Sequence, residues 1–336
     1  MIKMRKYTSL IALAVVVMTL GCKKSIVAPI VKPEAVRFSL VTAAPSVVKN
    51  SSDQKSISRA VTPHDEFMDH CMIGIFATKA AISDLSEITN SNVGYSNAAG
   101  SSVWSVVISG EPITYLPDDA PMNFYAYHPY TGQKGTSVTI DKTTLKYTLP
   151  VDQSSDKQLK DADLMWGNSL NKKQSDGTVN LEFSHKLSKL TLKIKKGTDW
   201  NNEAVLISKI AISGSNILSF ANLDLASGSL TPQANADQST NTVTANLGDP
   251  QRLDQNNDVV CEFILIPSSA YGTQIDFTVG DGSKTFKGTI NSALTFKSGT
   301  QLNLGVTINK TKPIDLYIDP TIVPWNFVSQ IDIEGI

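Results

Sequence analysis

The chain is divided throughout into short β-prone runs separated by turn-forming residues, and no window carries a long amphipathic helix. Residues 187–194 alternate between apolar and polar side chains, which is typical of a half-buried strand. Residues 259–266 are nearly all apolar, which indicates a central strand buried on both faces. The Gly-Asp-Gly-Ser stretch at 280–283 separates two further β-prone runs and predicts a hairpin. This pattern predicts an all-β fold built of β-sandwiches.

The length of 336 residues is sufficient for two domains of ordinary size. We place the boundary near residue 187, so that residues 60–187 form an N-terminal sandwich and residues 188–336 a C-terminal one. One helix is also predicted: residues 82–92 have Ser83 at an N-cap position, with an acidic residue shortly after it.

The N-terminus has the pattern of an export signal. Three basic residues lie within the first six positions, and residues 10–20 form an apolar segment too short to span a bilayer as a stable helix. The segment ends at a small residue directly before Cys22, an arrangement that resembles a bacterial lipobox. The resemblance implies removal of residues 1–21 and acylation of Cys22, which would anchor the protein to a membrane. An ordinary signal peptide with an incidental cysteine is the alternative.

Residues 22–59 are predicted to form a lipidated propeptide that contains the first strand. A short tether with two prolines leads to Val36, Phe38 and Leu40, which fall on one face of a strand at period two. A polar run rich in serine and lysine follows and is typical of a solvated loop open to proteases. The run ends at Arg59 and Ala60.

Composition and charge exclude several classes of function. The formal net charge is −1, and without the three basic residues of the signal it is −4, from 27 basic against 31 acidic side chains. A mildly acidic chain with scattered lysines lacks the basic stripe of a nucleic-acid-binding protein. After Cys22 only Cys71 and Cys261 remain, both in apolar runs, so we expect two buried free thiols and no disulfide.

Polar clusters in the sequence do not make a convincing catalytic or metal site. His64, Asp65, Glu66, Asp69 and His70 are close in sequence but match no metal-ligand spacing. A second group, at residues 254–258, lacks the glycine and the final glutamate of a calcium loop. We therefore predict no metal, no cofactor and no enzymatic activity.

An aromatic run raises one further possibility. Phe124, Tyr125, Tyr127 and Tyr130 either form a core strand or line a sugar-binding face. The core strand is the favoured interpretation. Burial of Phe124, Tyr127 and Trp104 would count against a sugar site.

Several stretches together resemble the fimbrillin family of the Bacteroidales, the Mfa-like and FimA-like pilus subunits. In chain order they are 123–130 (NFYAYHPY), 161–166 (DADLMW), 179–190 (VNLEFSHKLSKL), 296–302 (FKSGTQL) and 322–325 (IVPW). With the lipobox and Arg59, the resemblance covers nearly the whole chain.

The resemblance implies two transthyretin-like β-sandwich domains in tandem and a precursor that travels to the outer membrane as a lipoprotein. It further implies that an arginine-specific protease cuts between Arg59 and Ala60 and removes the strand with Val36, Phe38 and Leu40. A strand from another pilus subunit then fills the open groove, and the subunits polymerise into a fimbrium.

The C-terminal residues 327–336 are the candidate donor strand, with apolar Val328, Ile331 and Ile333. The alternative is an edge strand within the same chain. Only eleven residues follow Trp325, so stalk, tip, accessory and anchor roles all stay open. Expected partners are other pilus subunits, the outer membrane through the lipid, and surface ligands of host or bacteria. The alternative function is a glycan-binding outer-membrane lipoprotein of a polysaccharide-uptake system.

Overall fold

The structure is a computed structural model of the chain. It describes residues 33–42, 57–58, 71–81, 88–97, 104–107, 111–132, 136–234, 241–253, 258–269, 273–279, 284–290, 295–310 and 315–324. All statements about the structure concern these ranges.

The described residues are almost entirely β-structure with one short helix. The strands of the first half are β1 Phe38–Thr42, β2 Ile57–Ser58, β3 Met72–Lys79, β4 Ile88–Asn97, β5 Trp104–Val106, β6 Met122–His128, β7 Val138–Asp141, β8 Thr144–Thr148, β9 Met165–Lys172 and β10 Val179–His185, with α1 Asp156–Ala162 between β8 and β9. The strands of the second half are β11 Ser188–Lys196, β12 Val205–Gly214, β13 Phe220–Asp224, β14 Leu230–Gln233, β15 Asn241–Leu253, β16 Val259–Leu265, β17 Ser268–Ser269, β18 Thr273–Val279, β19 Lys284–Ile290, β20 Thr295–Phe296, β21 Thr300–Ile308 and β22 Asp315–Pro324. The predicted all-β class is confirmed.

One local prediction is wrong and one strand lies where none was predicted, each for a tertiary reason. Residues 88–92 are the start of β4 and not helix, because β4 pairs antiparallel with β3 along most of its length. The polar stretch before Leu247 contains β15, whose buried Val243 and Ala245 face inward from an otherwise polar sequence. In both segments the partner strand decides the conformation. The predicted hairpin is confirmed, since β18 and β19 pair in full register.

The first half is dominated by a seven-stranded sheet in the order β1-β10-β9-β6-β3-β4-β5. Phe38 on β1 nevertheless touches the ring of Tyr95 on β4, although four strands lie between them in the sheet. The sheet is therefore strongly curled. Its concave face encloses one apolar cluster that includes Ile73, Ile75 and Phe124.

In the second half, the sheets β2-β16-β11-β21-β22 and β15-β12-β18-β19 border a second apolar cluster, which also includes Tyr127 and Tyr147 of the first half. β17 and β20 form a separate two-stranded sheet. A further sheet, β14-β13-β8-β7, joins strands of both halves. Trp166 reinforces this junction: its indole N–H donates to the carbonyl of Leu225 at 2.9 Å, and its ring lies against Gly228. The division at residue 187 and the transthyretin-like arrangement stay predictions.

Candidate strand-binding groove

The first strand and the residues before it alternate as the sequence predicts. Val36 and Phe38 are buried, at 5% and 3% exposure, whereas Ala35 and Arg37 are exposed. Leu40 lies opposite Leu181 of β10 in the backbone register. One apolar edge of this segment therefore faces the concave cluster of the first sheet.

The backbone of this segment is hydrogen-bonded on both sides. Residues 38–42 run parallel to β10, and the amide of Val179 donates to the carbonyl of Arg37 at 2.8 Å. On the opposite side, the amide of Val36 donates to the carbonyl of Ile113 at 2.8 Å. The segment thus lies in a groove between β10 and residues 113–115, both far away in sequence.

Aromatic packing holds the segment in this groove. The Phe38 ring meets Tyr95 at 5.0 Å and Phe124 at 5.5 Å between centroids, both edge-to-face. Such pairs contribute roughly 0.5–1.5 kcal/mol each beyond the area that they bury. Phe38 is therefore the main side-chain anchor of β1.

The walls of the groove are tied to each other without β1. The Tyr95 hydroxyl accepts a hydrogen bond from the Ile113 amide at 2.9 Å, and the Tyr115 hydroxyl donates to the Gly177 carbonyl at 2.8 Å. Burial raises the pKa of Tyr95 and of Tyr115 above its ordinary value, so both hydroxyls stay protonated well into the alkaline range. These bonds link β4 to residue 113 and residue 115 to the loop before β10, so the walls of the groove are joined by contacts that do not involve β1.

A second set of hydrogen bonds joins the two loops next to the groove. The Asp119 carboxylate accepts hydrogen bonds from the Ser175 hydroxyl at 2.7 Å and the Ser175 amide at 2.9 Å. These bonds hold the pKa of Asp119 below its usual value. The loop at 117–121 is thereby fixed to the loop that precedes β10.

Sequence reasoning identified the strand but missed its groove. Tyr95, Ile113 and Tyr115 carry no local signal of this role, because each meets the strand only through the curl of the sheet. The sequence signal that could have indicated the groove is the short β-prone run at residues 113–116, whose backbone is hydrogen-bonded to residues 34–36.

Several predicted site residues lie outside the described ranges, so the structure does not place them. They are Cys22, Arg59, Ala60, Val328, Ile331 and Ile333, together with the His64–His70 cluster. The structure describes β2, the two residues directly before Arg59, which pairs in parallel with β16.

The aromatic run is part of the core. Phe124 and Tyr127 are fully buried and Trp104 is 7% exposed, which counts against a sugar-binding face. The Tyr127 hydroxyl donates to the Asn92 side chain at 2.5 Å. His185 is buried and its Nδ1 lies 2.9 Å from Asp163.

The described ranges contain two cysteines. Cys71 and Cys261 are buried in two different apolar clusters and do not form a disulfide with each other. Within the described ranges, no group of three or more His, Cys, Asp or Glu side chains is arranged to hold a metal ion. No helix in these ranges has the length and apolarity needed to cross a membrane.

The fold and the groove together define an all-β protein whose first described strand pairs with β10, while the residues before it bind residues 113–115. Residues 58–325 match the fimbrillin-like family. Because this match spans well over half of the sequence, the chain belongs to the fimbrillin-like family. The family implies a location on the cell surface and a structural, non-enzymatic protein. No curated protein sequence matches the chain.

Solved structures with the same fold come from Bacteroides. A protein of Bacteroides ovatus assigned to cell adhesion superposes with a TM-score of 0.61 at 17% identity, over 89% of this chain and 99% of that chain. A protein of Bacteroides uniformis, also assigned to cell adhesion, gives 0.56 at 21% identity, over 87% and 98%. A fimbrial protein of Bacteroides vulgatus gives 0.56 at 14% identity, over 87% and 99%. At these identities the likeness shows the fold.

Proposed function

We propose that the chain is a structural or adhesive subunit of a cell-surface pilus that assembles by strand exchange. The precursor is exported as a lipoprotein acylated at Cys22 and held at the outer membrane. Proteolysis between Arg59 and Ala60 then releases the segment that carries β1, and an extended segment of another subunit takes its place. Residues 327–336 are the candidate donor.

The observation that carries this proposal is the groove around β1, whose walls are hydrogen-bonded to each other without it. Loss of β1 uncovers the apolar side chains of Val179, Leu181 and Phe183 together with the hydrogen-bonding edge of β10. An open edge of this kind is a template for pairing with another chain. A donor strand with apolar residues at period two restores both the backbone bonds and the packing.

The distribution of arginines supports Arg59 as the cleavage position. The chain contains four arginines, at positions 5, 37, 59 and 252. Arg5 lies in the predicted signal peptide. The carbonyl of Arg37 is hydrogen-bonded to β10, and Arg252 lies within β15, opposite Leu206. A protease must extract such segments from their sheets before it can cut them. At Arg59 only the two-residue β2 has to leave β16, which is a much shorter pairing than that of β1 or β15.

The test uses the purified full-length precursor and an arginine-specific protease. We expect one cut, after Arg59, followed by polymers whose subunits begin at Ala60 by mass spectrometry. An Arg59→Ala precursor should stay monomeric, whereas the matched Arg37→Ala precursor should polymerise like the unmodified chain. Polymers whose subunits still begin at acylated Cys22 would show that strand removal is not the assembly step.

A further inference from the structure

The outer edge of β16 is covered by two unrelated parts of the chain. At one end lies the fully buried side chain of Gln153, whose amide nitrogen donates to the Ile264 carbonyl at 2.9 Å and whose oxygen accepts from the Ile264 amide at 2.8 Å. This side chain takes the place of a neighbouring strand. At the other end lies β2, in which Ile57 and Ser58 stand opposite Val259 and Val260.

The direction of the backbone groups follows from the Gln153 contact. Because the amide and carbonyl of Ile264 bind Gln153, they point away from β11, the neighbour on the other side of β16. Backbone groups in a strand alternate in direction with period two. The amides and carbonyls of Glu262 and Val260 therefore point to the same outer edge as those of Ile264.

The strand behind this edge is unusually apolar. Val259, Cys261, Phe263 and Leu265 are at most 1% exposed. Long apolar strands with an open edge pair with other chains unless the edge is covered. Gln153 lies after Arg59 and stays with the protein after a cut there, so Ile264 keeps its partner. β2 lies before Arg59, so the strand that pairs with Val260 is removed by the same cut.

Both β1 and β2 lie on the segment before Arg59. If the chain is cut between Arg59 and Ala60, as the proposed function requires, one released segment vacates two edges. One is β10 in the first half, and the other is β16 in the second half. The two strands are joined by fourteen residues, which span at most about 50 Å when extended.

We propose that the Val259–Phe263 edge of β16 is a second strand-acceptor site, filled in the pilus by an extended segment of a neighbouring subunit. Residues 327–336 are too few to fill the β10 groove and also reach this edge, because the precursor needs residues 38–58 for the same path. A separate extended segment of the neighbouring subunit therefore fills the β16 edge. It runs parallel to β16, as β2 does in the precursor.

A buried carboxylate specifies the chemistry of the incoming segment. Glu262 is 5% exposed; its Oε1 lies 2.7 Å from the Lys189 ammonium group. In the part of the chain that the structure describes, Oε2 is buried and has no hydrogen-bond partner. Buried acceptors of this kind normally have a donor. A segment laid along β16 supplies one if it carries an amide, hydroxyl or cationic side chain opposite Glu262.

The test is amide hydrogen exchange, compared between the full precursor and the Arg59-cleaved protein after removal of the released segment. We expect the Val179 amide of β10 and the Val260 amide of β16 each to exchange at least about tenfold faster after cleavage. The amide of Leu304 in β21 should keep its rate and serves as the internal control.

Peptide add-back separates the two acceptor edges. A synthetic peptide of residues 33–42 should restore protection at Val179 only, whereas a peptide of residues 33–58 should restore it at Val260 as well. Fast exchange at Val179 with unchanged protection at Val260 would overturn the second site and leave the proposed function intact. Unchanged protection at both would contradict strand removal itself. Recovery of Val260 with the short peptide would show that β2 is not the cover.

Discussion

Replacing Phe38 by alanine in the full-length precursor tests whether this ring anchors the removable strand. The Phe38 ring is 3% exposed and makes edge-to-face contacts with Tyr95 and Phe124. Replacing a buried phenylalanine by alanine costs about 3–5 kcal/mol. The lower value applies here, since β1 is an edge strand and can relax around the cavity. At about 1.4 kcal/mol per factor of ten, 3 kcal/mol makes strand opening roughly 100-fold more frequent.

The amide of Val179 reports this opening directly, because it donates to the carbonyl of Arg37 only while the segment is docked. Hydrogen exchange of the Phe38→Ala precursor should therefore be about 100-fold faster at Val179 than in the unmodified precursor. The Leu304 amide in β21 monitors global unfolding and should change far less. The matched control is Arg37→Ala, whose side chain is exposed and whose backbone bond is retained.

Two results would refute this reasoning. If Val179 keeps its protection in Phe38→Ala, the aromatic contacts do not hold the strand. If Val179 and Leu304 accelerate by the same factor, β1 does not open separately from the rest of the fold, and a strand-release mechanism loses its physical basis.

Three further predictions concern the body of the fold. A Cβ on Gly74 would lie 2.3 Å from the ring of Tyr127, so Gly74→Ala should lower the free energy of unfolding by about 1–3 kcal/mol in urea titrations; an unchanged midpoint would contradict this contact. Burial raises the pKa of Tyr127 and Tyr147, so both keep their protons in the folded state at a pH at which the unfolded chain loses them. The free energy of unfolding should therefore be constant with pH up to about pH 10 and then fall by up to about 1.4 kcal/mol per pH unit for each tyrosine. Urea midpoints that stay constant to about pH 11 would refute this prediction. Gln153→Ala should leave the amide and carbonyl of Ile264 unpaired, at a cost of about 1–3 kcal/mol, with faster exchange of that amide as the specific signal.

The candidate site was predictable in part. The alternation of Val36 and Phe38 predicted a strand with one buried face, and both side chains are buried as expected. The aromatic run was correctly favoured as core, since Phe124 and Tyr127 are fully enclosed. The groove itself was not predicted, because its walls come from residues that are more than fifty positions later in the chain.

β15 shows why other elements were missed. Its buried residues Val243, Ala245 and Leu247 do alternate, but they are separated by threonine and asparagine and followed by Gly248 and Pro250. Such a segment has weak intrinsic preference for any structure. It becomes a strand because β12 offers it a hydrogen-bonding edge, with a shift of register between Ile207 and Lys209.

The sequence by itself determined the all-β class, the strand that contains Phe38 and the resemblance to fimbrillins. These depend on side-chain pattern, which is local and can be read at period two. Only the tertiary structure decided that β1 pairs in parallel with β10 and that β2 and Gln153 divide the edge of β16. Backbone amides and carbonyls are the same at nearly every residue, so the pairing of distant strands has no local signature. It is decided when the whole chain packs its apolar faces together.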